Sequence, residues 1–307
     1  MVSILVPVYN SAPYLKECVE SLVGQTYRDL QIVMIDDGSS DGSWAVMKEL
    51  ARMDRRIEIY SQRNHGVAAT RNKLLDKVRG DFVLFVDSDD WIDLDTIEVL
   101  MQEQQVDDYD IVMYRITANG EEDRSLTQEQ AICLFLEHKS FRGSLCDKLI
   151  RSSLFEGLKI DENVSYGEDA LMVWQVLQRI NKMRMLGRVF YHYRVNPASL
   201  SRQPFNGKKL SAYTAWDAIC HETDSFWRKY REVAHGRFAC EMTQILRDAA
   251  HREYKRDAGI KLLQEEVRRD GSLITRAGIS SWKMRAYAWL VSHHYRLACF
   301  VTKFIYR

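Results

Sequence analysis

Residues 82–91 read Phe82-Val83-Leu84-Phe85-Val86-Asp87-Ser88-Asp89-Asp90-Trp91. The apolar run at 82–86 is too short for an isolated helix, and its Val and Phe content is typical of a strand buried on both faces. Three carboxylates follow at once, at the end of the predicted strand where open α/β sheets bind ligands. Because neighbouring carboxylates repel one another, the pattern favours a divalent cation that holds a phosphate group. The structural alternative is an acidic turn that caps the next helix.

Strands and helices alternate around this segment. Apolar runs predict strands, and stretches with helical spacing separate them, the strands lying at 3–8, 30–35, 57–60, 82–86 and 110–116, with a closing strand near 183–193. This alternation predicts an α/β fold of Rossmann type, with a mostly parallel sheet and helices on both faces.

A second acidic pair, Asp36-Asp37, follows the second predicted strand. The carboxyl ends of parallel strands share one edge of the sheet, so we expect this pair to lie near the carboxylates at 87–90. The sequence lacks both the Gly-x-Gly-x-x-Gly turn and the Gly-x-x-x-x-Gly-Lys-Ser/Thr loop. Phosphate would then be held by a metal and by basic side chains. Arg71 and Lys73 are candidates, and for Lys73 we prefer a solvated helix position.

A third acidic site is Glu168-Asp169, which opens a predicted helix after Tyr166-Gly167. Acidic residues at a helix start complement the helix dipole, which is the structural explanation. The functional explanation makes Asp169 a general base.

The composition narrows the class of protein. The 307 residues are 46% hydrophobic, enough for a substantial core, and Lys plus Arg equals Asp plus Glu at 43 each. This balance gives no reason to expect nucleic-acid binding. The N-terminus enters a strand-like run at once, so we expect no signal peptide, and apolar runs are too short to predict a membrane-spanning helix. The six scattered cysteines predict a reducing, cytoplasmic location.

Taken in order, the motifs resemble those of the family 2 glycosyltransferases, an inverting group with the GT-A fold. They are Ser3-Ile-Leu-Val-Pro-Val-Tyr-Asn10, Ser21-Leu-Val-Gly-Gln-Thr26, Ile35-Asp-Asp-Gly-Ser-Ser-Asp-Gly42, Gly66-Val-Ala-Ala-Thr-Arg-Asn72, Val86-Asp-Ser-Asp-Asp90 and Gly167-Glu-Asp169. Tyr191-His-Tyr-Arg194 with Ser199-Leu-Ser201 is similar to the tail of bacterial surface-polysaccharide members. The resemblance covers residues 1–203.

The resemblance implies a nucleotide-sugar donor, usually a UDP-sugar, bound at the end of the first strand. Pro7, Val8 and Tyr9 would line the nucleoside. Asp36 or Asp37 would accept a hydrogen bond from the base, with Asp37 weakly preferred.

The resemblance also implies a Mn²⁺ or Mg²⁺ ion at the acidic segment. Arg71 would face the nucleotide. Asp87 would face the ribose, with Ser88 beside it, and Asp89 would ligate the metal. His192 is a candidate late metal ligand, and a hydrogen-bonded core histidine is the alternative.

Asp169 matches the family's catalytic base, which would activate a hydroxyl of a glycan or lipid-linked acceptor in surface polysaccharide biosynthesis. A single displacement would invert the anomeric centre. A glycoside hydrolase also uses two carboxylates but would leave the metal-type cluster without a purpose. The remaining alternative is a catalytically inactive, glycosyltransferase-like binding partner of a polysaccharide synthase.

The domain organisation is predicted as a glycosyltransferase domain at 1–205 and a helical region at 206–307 that shapes the acceptor side. Residues 283–307 combine basic, aromatic and aliphatic side chains with no acidic residue. This composition is typical of an interfacial helix at a membrane surface, here the inner face of the cell membrane. A terminal helix packed on the bundle, or a homodimer contact, is the alternative.

Overall fold

The chain forms two compact units in a computed structural model that describes residues 1–117, 122–137, 141, 143–195, 205–278 and 281–305. The first, here called the sheet unit, comprises Met1–Ala131, Ser144–Glu162 and Gln175–Asn196. The second, the helical unit, comprises Ile132–Gly143, Asn163–Trp174 and Pro197–Arg307. The helical unit thus includes two segments from before position 206, and the domain division at 205 stays a prediction.

The strands of the described residues all belong to the sheet unit. They are β1 Val2–Val8, β2 Leu30–Asp36, β3 Ile57–Ser61, β4 Phe82–Phe85, β5 Trp91–Ile92, β6 Ile111–Arg115, β7 Arg124–Thr127, β8 Lys148–Arg151, β9 Lys182–Val189 and β10 Tyr191–His192. Within the described residues, an eight-stranded sheet has the order β3-β2-β1-β4-β8-β6-β9-β7. Strands β3, β2, β1 and β4 are parallel, whereas β8 is antiparallel to both of its neighbours. The predicted α/β fold with a mostly parallel sheet is confirmed.

The helices alternate with the strands in the first part of the chain, as predicted, and follow one another from Ala212 onward. They are α1 Leu15–Val23, α2 Ser43–Met53, α3 Val67–Leu75, α4 Thr96–Val106, α5 Gln128–Glu137, α6 Glu168–Leu177, α7 Ala212–Phe226, α8 Arg231–His251, α9 Ala258–Asp270, α10 Trp282–His293 and α11 Tyr295–Ile305. In the part of the chain that the structure describes, no helix combines the length and apolarity needed to cross a bilayer.

The core of the sheet unit explains how the edge of the sheet is positioned. Side chains alternate along β1, so Ile4 and Val6 join the cluster that contains Leu15 and Leu22 of α1. Helix α3 packs against β1 and β2 and also buries Leu74. Each aliphatic side chain that is fully buried stabilises the fold by about 1.5–3 kcal/mol. Packing of this strength fixes the strands so that β1, β2 and β4 end at one edge.

The helical unit is built around α8, which contacts α7, α9, α10 and α11. A Cβ atom at Gly236 would lie 2.1 Å from the carbonyl oxygen of Leu273, so only glycine permits this close approach. Buried residues on α7 and α8 recur at helical spacing, as in Ala215, Ile219, Phe238, Met242 and Leu246. The prediction of a C-terminal helical region is confirmed.

A half-buried histidine links three helices of this unit. His235 on α8 lies with Nδ1 2.9 Å from Asp270 at the end of α9, and with Nε2 3.2 Å from Asp224 on α7. Arg269 and Arg231 pair with the same two carboxylates. The hydrogen bond to Asp270 raises the pKa of His235 above 6.5, although burial opposes the shift. The protonated ring therefore stabilises the fold fully below about pH 6.5, and this contribution is lost as the pH rises through the raised pKa.

We expect His235→Gln to lower the free energy of unfolding by about 1–2 kcal/mol near pH 6, because charge-assisted hydrogen bonds are lost. The loss should be smaller at about pH 9, because the contribution of the protonated ring is lost as the pH rises through its raised pKa. Urea unfolding of both proteins at the two pH values measures the difference. His221→Gln, at an exposed position on α7, is the matched control and should leave the midpoint unchanged. An equal loss for His235→Gln at both pH values would contradict the prediction.

Candidate active site

The loops that follow β1, β2 and β4 are joined by hydrogen bonds at one edge of the sheet. The backbone N–H of Asn10 donates to Ser39 Oγ at 2.9 Å, and Asn10 Oδ1 accepts from the N–H of Ser40 at 2.9 Å. Asn10 has a φ of 50°, a left-handed conformation that asparagine tolerates better than most residues. The hydroxyl groups of Ser11 and Ser88 lie 2.7 Å apart. The structure thus brings both predicted acidic clusters of the sheet unit to this edge.

The end of β1 presents an aromatic ring at this edge. Val8 is buried and its carbonyl accepts from the N–H of Asp37 at 2.8 Å, whereas the Tyr9 side chain is 54% exposed. Pro7 is half-buried. A fixed backbone with an exposed ring beside it suits stacking against a planar base.

Asp37 organises the loop between β3 and α3. Its carboxylate is buried and accepts from the Gln62 amide at 2.7 Å and from the backbone N–H groups of His65 and Gly66 at 2.9 and 2.8 Å. Gly66 has a φ of 91°, which favours glycine at this turn. Both oxygens of Asp37 are thus engaged within the protein.

Asp36 is also buried, but it is engaged through one oxygen. Its Oδ1 accepts from the N–H of Ser39 at 3.2 Å, and Oδ2 has no partner among the described residues. Nearby, the buried guanidinium of Arg71 lies 3.5 Å from Asp87. Of the pair Asp36 and Asp37, Asp36 therefore has more capacity to accept a hydrogen bond from a ligand.

Asp90 anchors the acidic segment from inside the protein. It accepts from the Tyr191 hydroxyl at 2.7 Å and from the N–H of Arg194 at 2.7 Å. The Tyr191 hydroxyl in turn accepts from the N–H of Asp87 at 3.2 Å. Burial raises the pKa of Asp90 to about 7, and the charges of Asp87 and Asp89 act in the same direction. This edge of the sheet therefore concentrates negative charge.

Arg194 fixes the backbone beside Asp89. Its Nε donates to the Asp89 carbonyl at 2.9 Å, and its guanidinium pairs with Glu17. The same guanidinium lies over Trp91 at 4.7 Å and Tyr14 at 5.2 Å. Tyr191 and Arg194 belong to a motif from which the sequence predicts no role for either residue, and the structure shows that both hold the acidic segment.

His192 lies on a two-stranded ribbon formed by β5 and β10. Its Nε2 is 2.7 Å from Asp93 Oδ1, and its ring stacks on Trp91 with centroids 5.2 Å apart. This contact agrees with the hydrogen-bonded alternative, and the metal-ligand role of His192 stays a prediction.

The acidic segment suits a metal ion that binds together with the phosphate groups of a substrate. Across the described residues, no group of three or more His, Cys, Asp or Glu side chains is arranged to hold a metal alone. Mg²⁺ is usually bound through one or two carboxylates together with substrate phosphates, and Mn²⁺ prefers similar oxygen ligands. The half-buried carboxylate of Asp89, in a negatively charged environment, provides that kind of ligand.

Asp169 belongs to the helical unit and lies in the first turn of α6. Gly167 precedes it with a φ of 84°, and Gly143 packs so closely that a Cβ there would lie 2.7 Å from the Cβ of Ala170. These contacts fix the start of the helix, and the general-base role of Asp169 stays a prediction. The motif residues Ser199-Leu-Ser201 lie outside the described residues.

Residues 3–159 match the family model described as Glycosyl transferase family 2. The chain belongs to this family. That match extends over both acidic clusters of the sheet unit and ends before Tyr191, Arg194 and Asp169.

The curated relatives of this family 2 chain include three that are 30–33% identical to it. Glycosyltransferase GlyA of Streptococcus pneumoniae is 33% identical over 226 residues, which are 66% of this chain and 31% of GlyA. The uncharacterized glycosyltransferase EpsJ of Bacillus subtilis is 32% identical, over 67% of this chain and 64% of EpsJ. A cholesterol galactosyltransferase of Borreliella burgdorferi is 30% identical, over 75% of this chain and 72% of the relative. The match thus spans less than two thirds of GlyA and EpsJ.

Two solved structures share the fold of the family 2 chain. Residues 1–349 of Staphylococcus aureus TarS, in complex with UDP-GlcNAc, superpose with a TM-score of 0.69 at 19% identity, covering 100% of this chain and 91% of that one. The mannosyltransferase PcManGT from Pyrobaculum calidifontis, in complex with GDP-Man and Mn²⁺, gives 0.58 at 16% identity, covering 99% and 86%. These similarities confirm the predicted GT-A fold.

For this family 2 chain, we expect Tyr191→Phe to weaken the acidic segment. The change removes the hydrogen bonds that the Tyr191 hydroxyl accepts from the N–H of Asp87 and donates to Asp90, which costs about 1–3 kcal/mol of unfolding free energy. Urea unfolding, together with titration of UDP in the presence of Mn²⁺, measures the effect on stability and on donor binding. Tyr27→Phe, at a half-buried tyrosine of the same unit, is the control. Unchanged stability and binding would show that the Tyr191 hydroxyl does not support the segment.

Proposed function

We propose that the protein is a metal-dependent, inverting glycosyltransferase that moves a sugar from a UDP-sugar to a hydroxyl of a glycan or lipid-linked acceptor. The observation that best supports the proposal is the convergence of Tyr9, Asp36 and the Asp87–Asp90 segment at one edge of the sheet. The TarS complex with UDP-GlcNAc supports UDP as the nucleotide. Similarity to the Bacillus subtilis minor teichoic acid biosynthesis protein GgaB supports a role in surface polysaccharide biosynthesis.

The nucleoside end of the donor binds where β1 and β2 end. The exposed ring of Tyr9 stacks on the base, and Pro7 and Val8 form the wall behind it. Asp36 accepts a hydrogen bond from the base, because both oxygens of Asp37 already accept from the loop before α3. Asp37 then shapes this part of the site.

The diphosphate end binds at the acidic segment. Asp87 faces the ribose next to Ser88, and Asp89 holds a Mn²⁺ or Mg²⁺ ion. When bound, such an ion stabilises the charge on the departing diphosphate as a Lewis acid. Arg71 adds a fixed positive charge beside Asp87, and Arg194 holds the Asp89 backbone in place.

Asp169 removes the proton from the acceptor hydroxyl as that oxygen attacks the anomeric carbon. The new glycosidic bond forms on the face opposite the breaking bond to the diphosphate, so one displacement inverts the centre. The electron pair of the breaking bond leaves with the nucleoside diphosphate. General-base catalysis of this type typically contributes about 10²- to 10⁴-fold to the rate.

Two measurements test the proposal. Calorimetry with UDP, with and without Mn²⁺, should show binding that requires the metal. A screen of nucleotide sugars with Mn²⁺ present should show release of a nucleoside diphosphate from one or a few donors. Metal-dependent UDP binding without turnover of any donor would favour the inactive binding partner. A lack of UDP binding would reject a donor site at this edge.

A further inference from the structure

The last two helices of the helical unit expose a set of large apolar side chains. On α10, the side chains of Trp282 and Trp289 are 67% and 58% exposed, and on α11 those of Leu297 and Phe300 are 50% and 60% exposed. Exposed tryptophan is uncommon on a soluble surface, and a contiguous set of such residues marks an interaction site.

These side chains form one continuous surface. Trp282, Arg285, Trp289 and His293 follow one another at spacings of three or four residues, which places them along one side of α10. The Trp289 ring stacks on His293 and also lies 5.3 Å from His294, at the junction with α11.

From His294 the surface continues along α11. His294, Leu297 and Phe300 recur every three residues and are all exposed. We call Trp282, Arg285, Trp289, His294, Leu297 and Phe300 the C-terminal aromatic surface.

The opposite sides of the same helices account for their packing. Ala288 and Val291 of α10 and Ala298 and Thr302 of α11 are buried within the helical unit. The fold therefore does not require apolar residues on the exposed side, and the C-terminal aromatic surface needs another explanation.

The segment that carries this surface has charged side chains of a single sign. Residues 271–307 contain Lys and Arg but no Asp or Glu, although the whole chain carries 43 of each class. Residues 1–270 therefore hold the compensating negative excess. Among the cations, Lys283, Arg285 and Arg296 are exposed, and Arg285 lies between the two tryptophans.

This combination suits an anionic lipid surface better than a second copy of the chain. Tryptophan prefers the interface between headgroups and acyl chains, and Lys and Arg beside it are attracted to anionic headgroups. In a two-fold symmetric dimer the same surface would face itself and bring the like charges together. We propose that the C-terminal aromatic surface binds the headgroup layer of an anionic phospholipid bilayer. The proposal goes beyond the glycosyl transfer proposed above and would bring the enzyme to lipid-linked acceptors.

Vesicle co-sedimentation of the full chain tests this inference. We expect binding to vesicles that mix phosphatidylglycerol with phosphatidylcholine, and weak binding to phosphatidylcholine alone. The double variant Trp289→Ser, Phe300→Ser should lower the partition coefficient at least about tenfold, because two inserted aromatic side chains are lost. Lys283→Glu with Arg296→Glu should weaken binding to the anionic vesicles selectively.

Phe226→Ser is the matched control, because Phe226 is 79% exposed at the end of α7, away from the C-terminal aromatic surface in sequence. Equal partitioning of the wild type into both kinds of vesicle, or an equal loss for Phe226→Ser, would overturn the proposal. Sedimentation velocity without lipid provides a further test. The proposal is overturned if the wild type is a dimer, the double variant is a monomer and neither protein binds vesicles. UDP titration of the double variant should match the wild type, which separates this inference from the donor site.

Discussion

Asp89→Ala should lower metal-dependent donor turnover to a small residual rate while leaving the fold intact. The half-buried Asp89 side chain is the proposed metal ligand, and its backbone is held separately by Arg194 at 2.9 Å, so the loop should survive loss of the carboxylate. Removing one preorganised electrostatic contribution of this kind costs about 10²- to 10³-fold in kcat. Initial rates of nucleoside diphosphate release at several Mn²⁺ concentrations measure the effect.

Asp76→Ala provides the control for that experiment. Asp76 is an exposed carboxylate at the end of α3, in the same unit but outside the acidic segment. We expect it to behave as the wild type, both in turnover and in Mn²⁺-dependent UDP binding. If Asp89→Ala retains near-normal rates at the wild-type Mn²⁺ optimum, the metal is held by other residues or is not used.

Asp169→Asn should separate donor binding from transfer. The amide keeps the size of the side chain but cannot remove a proton, so transfer to an acceptor should fall about 10²- to 10⁴-fold. UDP binding should stay unchanged, because the donor contacts proposed above belong to the sheet unit. Single-turnover transfer and calorimetry with UDP give the two readouts.

Glu168→Gln is the companion variant, since it removes the neighbouring carboxylate from the same helical turn. We expect a smaller loss of transfer for Glu168→Gln than for Asp169→Asn. Near-normal transfer by Asp169→Asn would remove the general-base assignment, and an equal loss for both variants would show that the turn acts as a whole.

Much of the sheet unit could be predicted because its signals are local. Apolar runs marked β1, β2 and β4, and helical spacing marked the helices between them. Since parallel strands end at one edge, the acidic clusters after β2 and β4 could be expected to lie close together.

The remaining parts depend on contacts between distant residues. Strand β8 has only four residues, and its antiparallel direction follows from pairing with β4 and β6. The ribbon of β5 and β10 has two residues in each strand, too few to show any periodicity. Tyr191 and Arg194 lie about a hundred positions from the aspartates they hold. No local sequence pattern could therefore predict these contacts.

The tie between Asp90 and Tyr191 also limits how the protein can be shortened. A minimal fragment cut at the end of the family match, residue 159, would keep every aspartate of the proposed donor site. It would lack the Tyr191 hydroxyl and the Arg194 guanidinium, which hold the acidic segment. Water would then replace Tyr191 as the hydrogen-bond partner of the buried Asp90 carboxylate. A fragment made for truncation, fusion or library design should therefore extend through position 194, even when nucleotide binding is the sole property of interest.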